Sequence, residues 1–382
     1  MVFHKTHGMN QPLFSMRTLY VSRTPADSSV YPTISAALDA IPMDLNEPAC
    51  IYLAPGIYHE KITINKPYLT ILGTGKSNKD VVLTYDDYAL APMADIGKLG
   101  TFRSYSVFID THDVTLQNLT IENASGDSLT HGQAIALYAD GDRLVIDSCR
   151  LIGHQDTLFT GPLPPKEIEP DGFIGPKQFA PRINGRQYYK NCYICGDIDF
   201  IFGSATAYFE NCVIESLCLT TNVNDIQGYI TAASTPESQE YGYVFSNCKL
   251  ISKDCPPNSV YLGRPWRNYA KTVFLECALG NHIHECGFHD WKKEDARNTV
   301  LYAEYRNYPA SSADTTSNNR SLNDDIHCID GRCIPYPHRA EYVCELDAVQ
   351  AEHFSKENVL PKGDLVYPMQ QHIGTPAKPV VK

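Results

Sequence analysis

The stretch DSCRL at residues 147–151 sets one thiol between polar neighbours, with leucine two positions on, and the pattern returns four times. KNCYI (190–194), ENCVI (210–214), SNCKL (246–250) and LECAL (275–279) repeat it, and QNLTI (117–121) looks like an earlier copy with leucine in the cysteine place. In a strand, positions i and i+2 face the same way. Each cysteine and the aliphatic residue after it are therefore expected to point inward, and the polar neighbour outward. A free cysteine behaves as a small buried hydrophobe. The repeated cysteines are 20–43 residues apart, so the loops differ while the unit recurs. Similar short strands at irregular spacing predict a stacked solenoid, in which columns of like side chains form because coils lie about 4.8 Å apart. A sandwich whose strands share a cysteine is the competing architecture.

Outward from these units, the chain divides unevenly. YPTISAALDAIP (31–42) places Ile34, Ala37, Leu38 and Ile41 on one helical face, with Thr33 as N-cap and Pro42 as stop, and is expected to lid the open end of the solenoid. Residues 161–185, GPLPPKEIEPDGFIGPKQFAPRING, form a long Pro- and Gly-rich excursion between coils, a length usual for functional or disordered loops. Residues 309–326 read as a polar linker. The main body thus spans 18–308. The tail 309–382, helical near LDAVQAEHF (346–354), is expected to pack along it rather than form its own domain.

The 382 residues exceed the usual single globular core, a limit that solenoids escape because each unit packs only on its neighbours. A net charge of -12 argues against nucleic acid as partner. No run of about 18 apolar residues exists to span a membrane. The first residues, MVFHKTHGMNQPLFSMRTLYVS, lack a signal peptide's apolar stretch, and the 13 cysteines fit reduced thiols better than a disulfide framework. A cytoplasmic location is expected, the alternative being secretion with a signal absent from this sequence.

Asp199 stands between Ile198 and Phe200 in CGDIDFIFGSATAYFENC (195–212), where an unpaired charge costs several kcal/mol once buried. If Phe200 and Phe202 face the core, alternation turns Asp199 and Ile201 outward. One coil earlier, GHQDTLFT (153–160) sets Gln155 beside Asp156, another acid preceding an apolar run. Stacked coils would bring the two acids together. Two close carboxylates titrate apart, one ionised and one holding its proton, which supplies a nucleophile or base and an acid in one place. Arg264, between Gly263 and Pro265 in YLGRPWRNY, suits holding the ionised partner with its planar fork.

GHQDTLF, DFIFGSA and YLGRPW together resemble the signature of the pectin methylesterases, carbohydrate esterases that demethylate homogalacturonan. GTFRSYS (100–106), NLTIENASG (118–126), QAIAL (133–137), GFHDWKK (287–293) and LYAEYRN (301–307) extend the resemblance, in order, from about residue 18 to 308. It implies an all-β, right-handed parallel β-helix. It implies Asp199 as the nucleophile on the methyl ester, Asp156 as general acid and then base, and Gln133 and Gln155 as amides facing the oxyanion. Arg264 would hold Asp199, Trp266 would stack on a sugar ring, and Ser106, where the family has Thr, would touch substrate. Phe200, Phe202, and Phe159 where Tyr is common, would lie near the ester, although alternation makes Phe200 and Phe202 read as core. The implied partner is methyl-esterified homogalacturonan or its oligosaccharides, met by a monomer needing no cofactor.

Departures from the family pattern are Asp197, a third carboxylate beside the site, and the 161–185 excursion, expected to wall one end of the groove and favour short oligosaccharides. NHIHECGFH sets His282, His284 and Cys286 at alternate positions, a possible zinc face, with His289 beyond, but the resemblance at His289 and Trp291 implies an ordinary strand and turn and no metal is expected. Cys328 and Cys333 are a further possible pair. His131 and His154 flank the proposed site. The rival functions are a β-helix lyase or hydrolase, disfavoured because no calcium cluster or GHG motif is present, and a non-catalytic carbohydrate-binding solenoid.

Overall fold

Three parallel sheets, of twelve, nine and seven strands, take the chain in turn. The computed structural model describes residues 16–43, 47–94, 97–310 and 338–361. Val107–Ile109, Val114–Gln117 and Thr120–Asn123 go one to each sheet, and Leu137–Ala139, Leu144–Asp147 and Arg150–Ile152 lie on them as the next rung, all in parallel register. The fold is a parallel β-helix, the solenoid and not the sandwich.

The repeated cysteine unit is not a strand interior. Each cysteine sits at the corner between the twelve- and nine-stranded sheets, just after a strand ends. The polar residue before it turns the corner in the left-handed region: Asn118, Ser148, Asn191, Asn211, Asn247 and Glu276 all have φ between 52° and 55°. Asn tolerates this conformation better than most residues, which accounts for its frequency here. The inward direction is as expected. Cys149, Cys192, Cys212, Cys248 and Cys277 are buried in the central core with Leu151, Ile194, Ile214, Leu250 and Leu279. Their thiols donate to carbonyls of their own and the preceding rung, as Cys192 does to Ile146 O at 3.2 Å. Beside them, Tyr189, Phe209, Phe245 and Phe274 stack ring on ring at 4.6, 4.4 and 4.5 Å, near the rung spacing.

The helix Ile34–Asp39 closes one end. Thr33 caps it by accepting from Ala36 N, and Ile34, Ala37 and Leu38 are buried. At the other end the tail adds a strand, Val343–Glu345, to the twelve-stranded sheet. Its helices Ala348–Glu352 and Lys356–Val359 lay Ala351, Phe354, Val359 and Leu360 on the outer face of that sheet, against Val145, Tyr188, Tyr208 and Val244. The 309–326 reading, Cys328 and Cys333 fall almost wholly or wholly outside the described residues.

The excursion 161–185 is folded around one side chain. The Arg182 guanidinium donates to the carbonyls of Pro164, Lys177, Gln178 and Ala180, neutral acceptors that would otherwise need water. Lys177 pairs with Asp110 of the body. Phe173 turns inward beside Phe102 and Trp266, with ring centroids 5.8 and 6.2 Å away.

Candidate active site

The outer face of the seven-stranded sheet carries the acids. Leu158 pairs with Ile201 and Phe159 with Phe202, and the same register two residues back sets Asp156 beside Asp199 on the next rung. The Asp156 amide donates to Ile198 O at 3.1 Å, which fastens the two segments together. Both acids are left-handed, with φ 67° at Asp156 and 50° at Asp199. Strand geometry fails there: the pairing with the following rung slips between Ile198 and Ile201. Such residues cost of order 1 kcal/mol or more and collect at functional sites.

That slip overturns the alternation reading. Phe200 and Ile201 both face the central core, while Phe202 turns outward into a second aromatic cluster with Phe102, Tyr138, Phe159 and Phe173. One left-handed residue rotates every side chain after it, so counting by twos across Asp199 gives the wrong face.

Arg264 comes from two rungs further on. A Cβ on Gly263 would fall 2.0 Å from Thr231 Oγ1, so only glycine lets the chain run this close to the previous rung. From there Arg264 grips Asp199 with both forks, Nε to Oδ1 at 2.8 Å and Nη2 to Oδ2 at 2.7 Å. Its guanidinium carbon is 3.8 Å from the Tyr229 ring centroid and 3.7 Å from that of Trp291. These cation–π contacts and the bidentate pair leave the fork little freedom. The sequence reading gave Tyr229 no role and noticed Trp291 only as part of GFHDWKK. Tyr229's signal is its position one rung from Asp199, visible once the register is known.

Electrostatics separate the two acids. Burial pushes the Asp156 carboxyl well above the usual range, and the negative charge of Asp199 pushes it further. Burial also raises Asp199, but the charge and hydrogen bonds of Arg264 act against it. Asp199 still lies above its ordinary value, but the Arg264 fork favours its ionised form, whereas burial and the Asp199 charge favour the protonated form of Asp156. Asp197 is buried a residue away, accepting from Ser128 Oγ at 2.6 and 2.7 Å and facing His154 Nδ1 at 3.1 Å. That contact raises the His154 pKa, against burial.

Gln133 and Gln155 are half-buried on neighbouring rungs, joined by the Ala134 amide donating to Gln155 O. The Gln155 amide itself donates to Ser128 Oγ. Their side-chain amides meet no hydrogen-bond partner among the described residues. Trp266 lies half-buried over Phe202, centroids 5.7 Å apart. Phe159 is fully buried beneath, 4.9 Å from Phe202, and supports the platform without reaching its surface. Ser106 does not join the site. It is fully buried, and its hydroxyl donates to Glu122 O at 2.7 Å. His131 is half-buried and edge-on to Tyr88.

The zinc face does not form. Residues 282–288 make only isolated bridges, so alternation does not apply. His282 is buried, with its pKa pushed down to about 4 by burial. His284 stacks on Tyr261 with centroids 4.1 Å apart. Among the described residues no three His, Cys, Asp or Glu side chains are grouped to hold a metal.

The pectinesterase family model matches residues 21–162 and 182–323, passing over the middle of the excursion. Pectinesterase 31 of Arabidopsis thaliana is 32% identical over 318 residues, 81% of this chain and 90% of that protein. Probable pectinesterase A of Neosartorya fischeri is 35% identical, over 77% of this chain and 80% of its own. Among solved structures, the pectin methylesterase PemA from Erwinia chrysanthemi superposes with a TM-score of 0.68 at 26% identity, covering 92% of this chain and 98% of its own. A pectin methylesterase in complex with a hexasaccharide gives 0.69 at the same identity and coverage. The chain belongs to the pectinesterase family. It is a carboxylic ester hydrolase of that kind.

Proposed function

We propose that the protein hydrolyses methyl esters of galacturonate units in pectin or its oligosaccharides, through a covalent intermediate on Asp199. The observation that carries this reading is the unequal pair: a carboxylate gripped by both forks of Arg264, beside a buried one on the adjacent rung whose pKa is pushed well up. Asp199 attacks the ester carbonyl carbon. The amides of Gln133 and Gln155, unengaged by protein, are suited to receive the oxyanion without the desolvation cost of a charge. Collapse breaks the bond to methoxide, which takes the Asp156 proton and leaves as methanol, because methoxide alone is a poor leaving group. The acyl group stays on Asp199 as a mixed anhydride. Asp156, now ionised, takes a proton from water; hydroxide oxygen attacks the anhydride, freeing the galacturonate acid and restoring Asp199. Trp266 is placed to stack on a pyranose face.

A methanol assay on esterified pectin and on methylated oligogalacturonides tests the reading. Methanol is expected. Absorbance from an unsaturated product would indicate a lyase, and binding with neither signal a non-catalytic solenoid. The column of buried thiols supports a reducing compartment as the working site; mature protein outside intact cells would contradict it.

A further inference from the structure

We infer that Cys218 and Cys255 are a redox-active thiol pair, which a small disulfide closes into a crosslink between the two loops that lead to Tyr229 and Arg264.

The pair stands where two rungs end together. Val213–Ser216 and Lys249–Ile251 are neighbours in the nine-stranded sheet, with Glu215 paired to Ile251. Past the second strand the chain folds back onto the end of the first. Ser252 Oγ donates to Ser216 O at 2.8 Å, and Cys255 Sγ lies 3.7 Å from the same oxygen. Cys218 is two residues beyond Ser216, a reach of at most about 7 Å, and a disulfide needs Cα atoms within about 7 Å. Burial pushes the Cys255 thiol up to about 11, with Ser252 opposing, and Cys218 stands near enough for its charge to add to the rise.

The loop carrying Cys218 is built around one side chain. Gln227 is fully buried, and its Oε1 accepts from the amides of Leu219 and Thr220 at 3.0 and 2.9 Å and from Cys218 Sγ at 3.3 Å. Its Nε2 donates to Asn222 O at 3.0 Å. The Gln227 amide donates to Ser259 O, which already ties this loop to the turn after Cys255. A thiol is a weak donor, so turning the Cys218 sulfur from Gln227 to Cys255 costs little.

Exposure separates this pair from the thiol column. Cys149, Cys192, Cys212, Cys248 and Cys277 are closed off in the core, whereas Cys218 is exposed and Cys255 half-buried. Cys218 is therefore the attacking sulfur and Cys255 the resolving one. The Cys218 thiolate attacks one sulfur of a small disulfide, whose S–S bond breaks and releases one small thiol. Cys255 then gives up its proton, its sulfur attacks Cys218 Sγ, and the second small thiol leaves. The two electrons and two protons of the protein thiols end on the small disulfide, which becomes two thiols. The crosslink fastens the segments that enter Gly228–Ala233 and Val260–Gly263, paired strands in which Tyr229 and Tyr261 stack with centroids 5.6 Å apart. The pair is open among reducing thiols and closes in an oxidising compartment.

The test treats the full chain with oxidised glutathione, alkylates the remaining thiols and maps the digest by mass spectrometry, with the melting temperature taken before and after. A peptide pair joined through Cys218 and Cys255, and released by dithiothreitol, is expected. The melting temperature should rise by about 5 °C over the reduced protein, the scale for closing a loop of this length in a chain of this size. Cys255→Ser should instead keep glutathione on Cys218 as a mixed disulfide and show no such rise. Wild-type protein in which Cys255 is still alkylated, whether or not Cys218 carries glutathione, overturns the inference. So does a crosslink that leaves the melting temperature unchanged, or a rise that Cys255→Ser shares.

Discussion

The central core and the outer face of the seven-stranded sheet are built on the same rungs and obey opposite rules. In the core each rung repeats the one before: ring over ring from Tyr189 to Phe274, thiol over thiol from Cys149 to Cys277. On the outer face successive rungs present Gln133, Asp156, Asp199, Tyr229 and Arg264, an amide, two acids in unlike surroundings, a phenol and a guanidinium. Repetition lets side chains pack with matched neighbours and needs no special backbone. Chemistry needs unlike groups in contact, and the backbone leaves the strand region to supply them, as the left-handed φ of both acids shows. The solenoid separates stability from reactivity by the two sides of one sheet.

The comparison breaks if a change on one side acts like a change on the other. After the attacking group itself, the largest effect is expected at Asp156. Asp156→Asn removes the proposed proton donor and should lower kcat by about 10³-fold, within the usual range for general acid catalysis. It should also stabilise the protein near neutral pH. A carboxyl whose folded pKa lies above its unfolded value of about 3.8 binds more protons folded than unfolded, so its contribution falls as pH rises above that value. The melting temperature of Asp156→Asn should exceed wild type at pH 7 and match it near pH 3. A lower melting temperature at pH 7 would mean that this acid is not held protonated by burial.

Phe245→Ala on the core side should do the reverse. It removes the middle of the ring stack and should cost about 3–5 kcal/mol in denaturant unfolding, while kcat of the folded fraction stays near wild type. A fall in kcat as large as the fall in stability would join the two sides that the structure separates.

The same contrast explains what could be read in the sequence. Repetition is visible in a string of letters, so the cysteine units pointed to stacked coils and the helix before Pro42 to a cap. What the units meant locally was less visible: the polar residue before each cysteine turns a corner, a conformation that Asn hints at and Ser148 or Glu276 does not. The site resisted pattern reading where it departs from pattern. Alternation misplaced Ile201 and Phe202 because Asp199 is left-handed. Ser106 was assigned by its place in a motif, and only the fold shows that its hydroxyl is consumed inside, by Glu122 O. The aromatic sandwich around Arg264 joins residues 229, 264 and 291, a contact that follows from register and leaves no local mark.

The most direct test of the central claim is methanol release by Asp199→Ala beside wild type, with circular dichroism to confirm the fold. A loss of about 10⁴-fold or more is the expected result, since removal of an attacking group can cost on the order of 10⁶-fold. A folded Asp199→Ala protein keeping a tenth or more of wild-type activity would place the attacking group elsewhere.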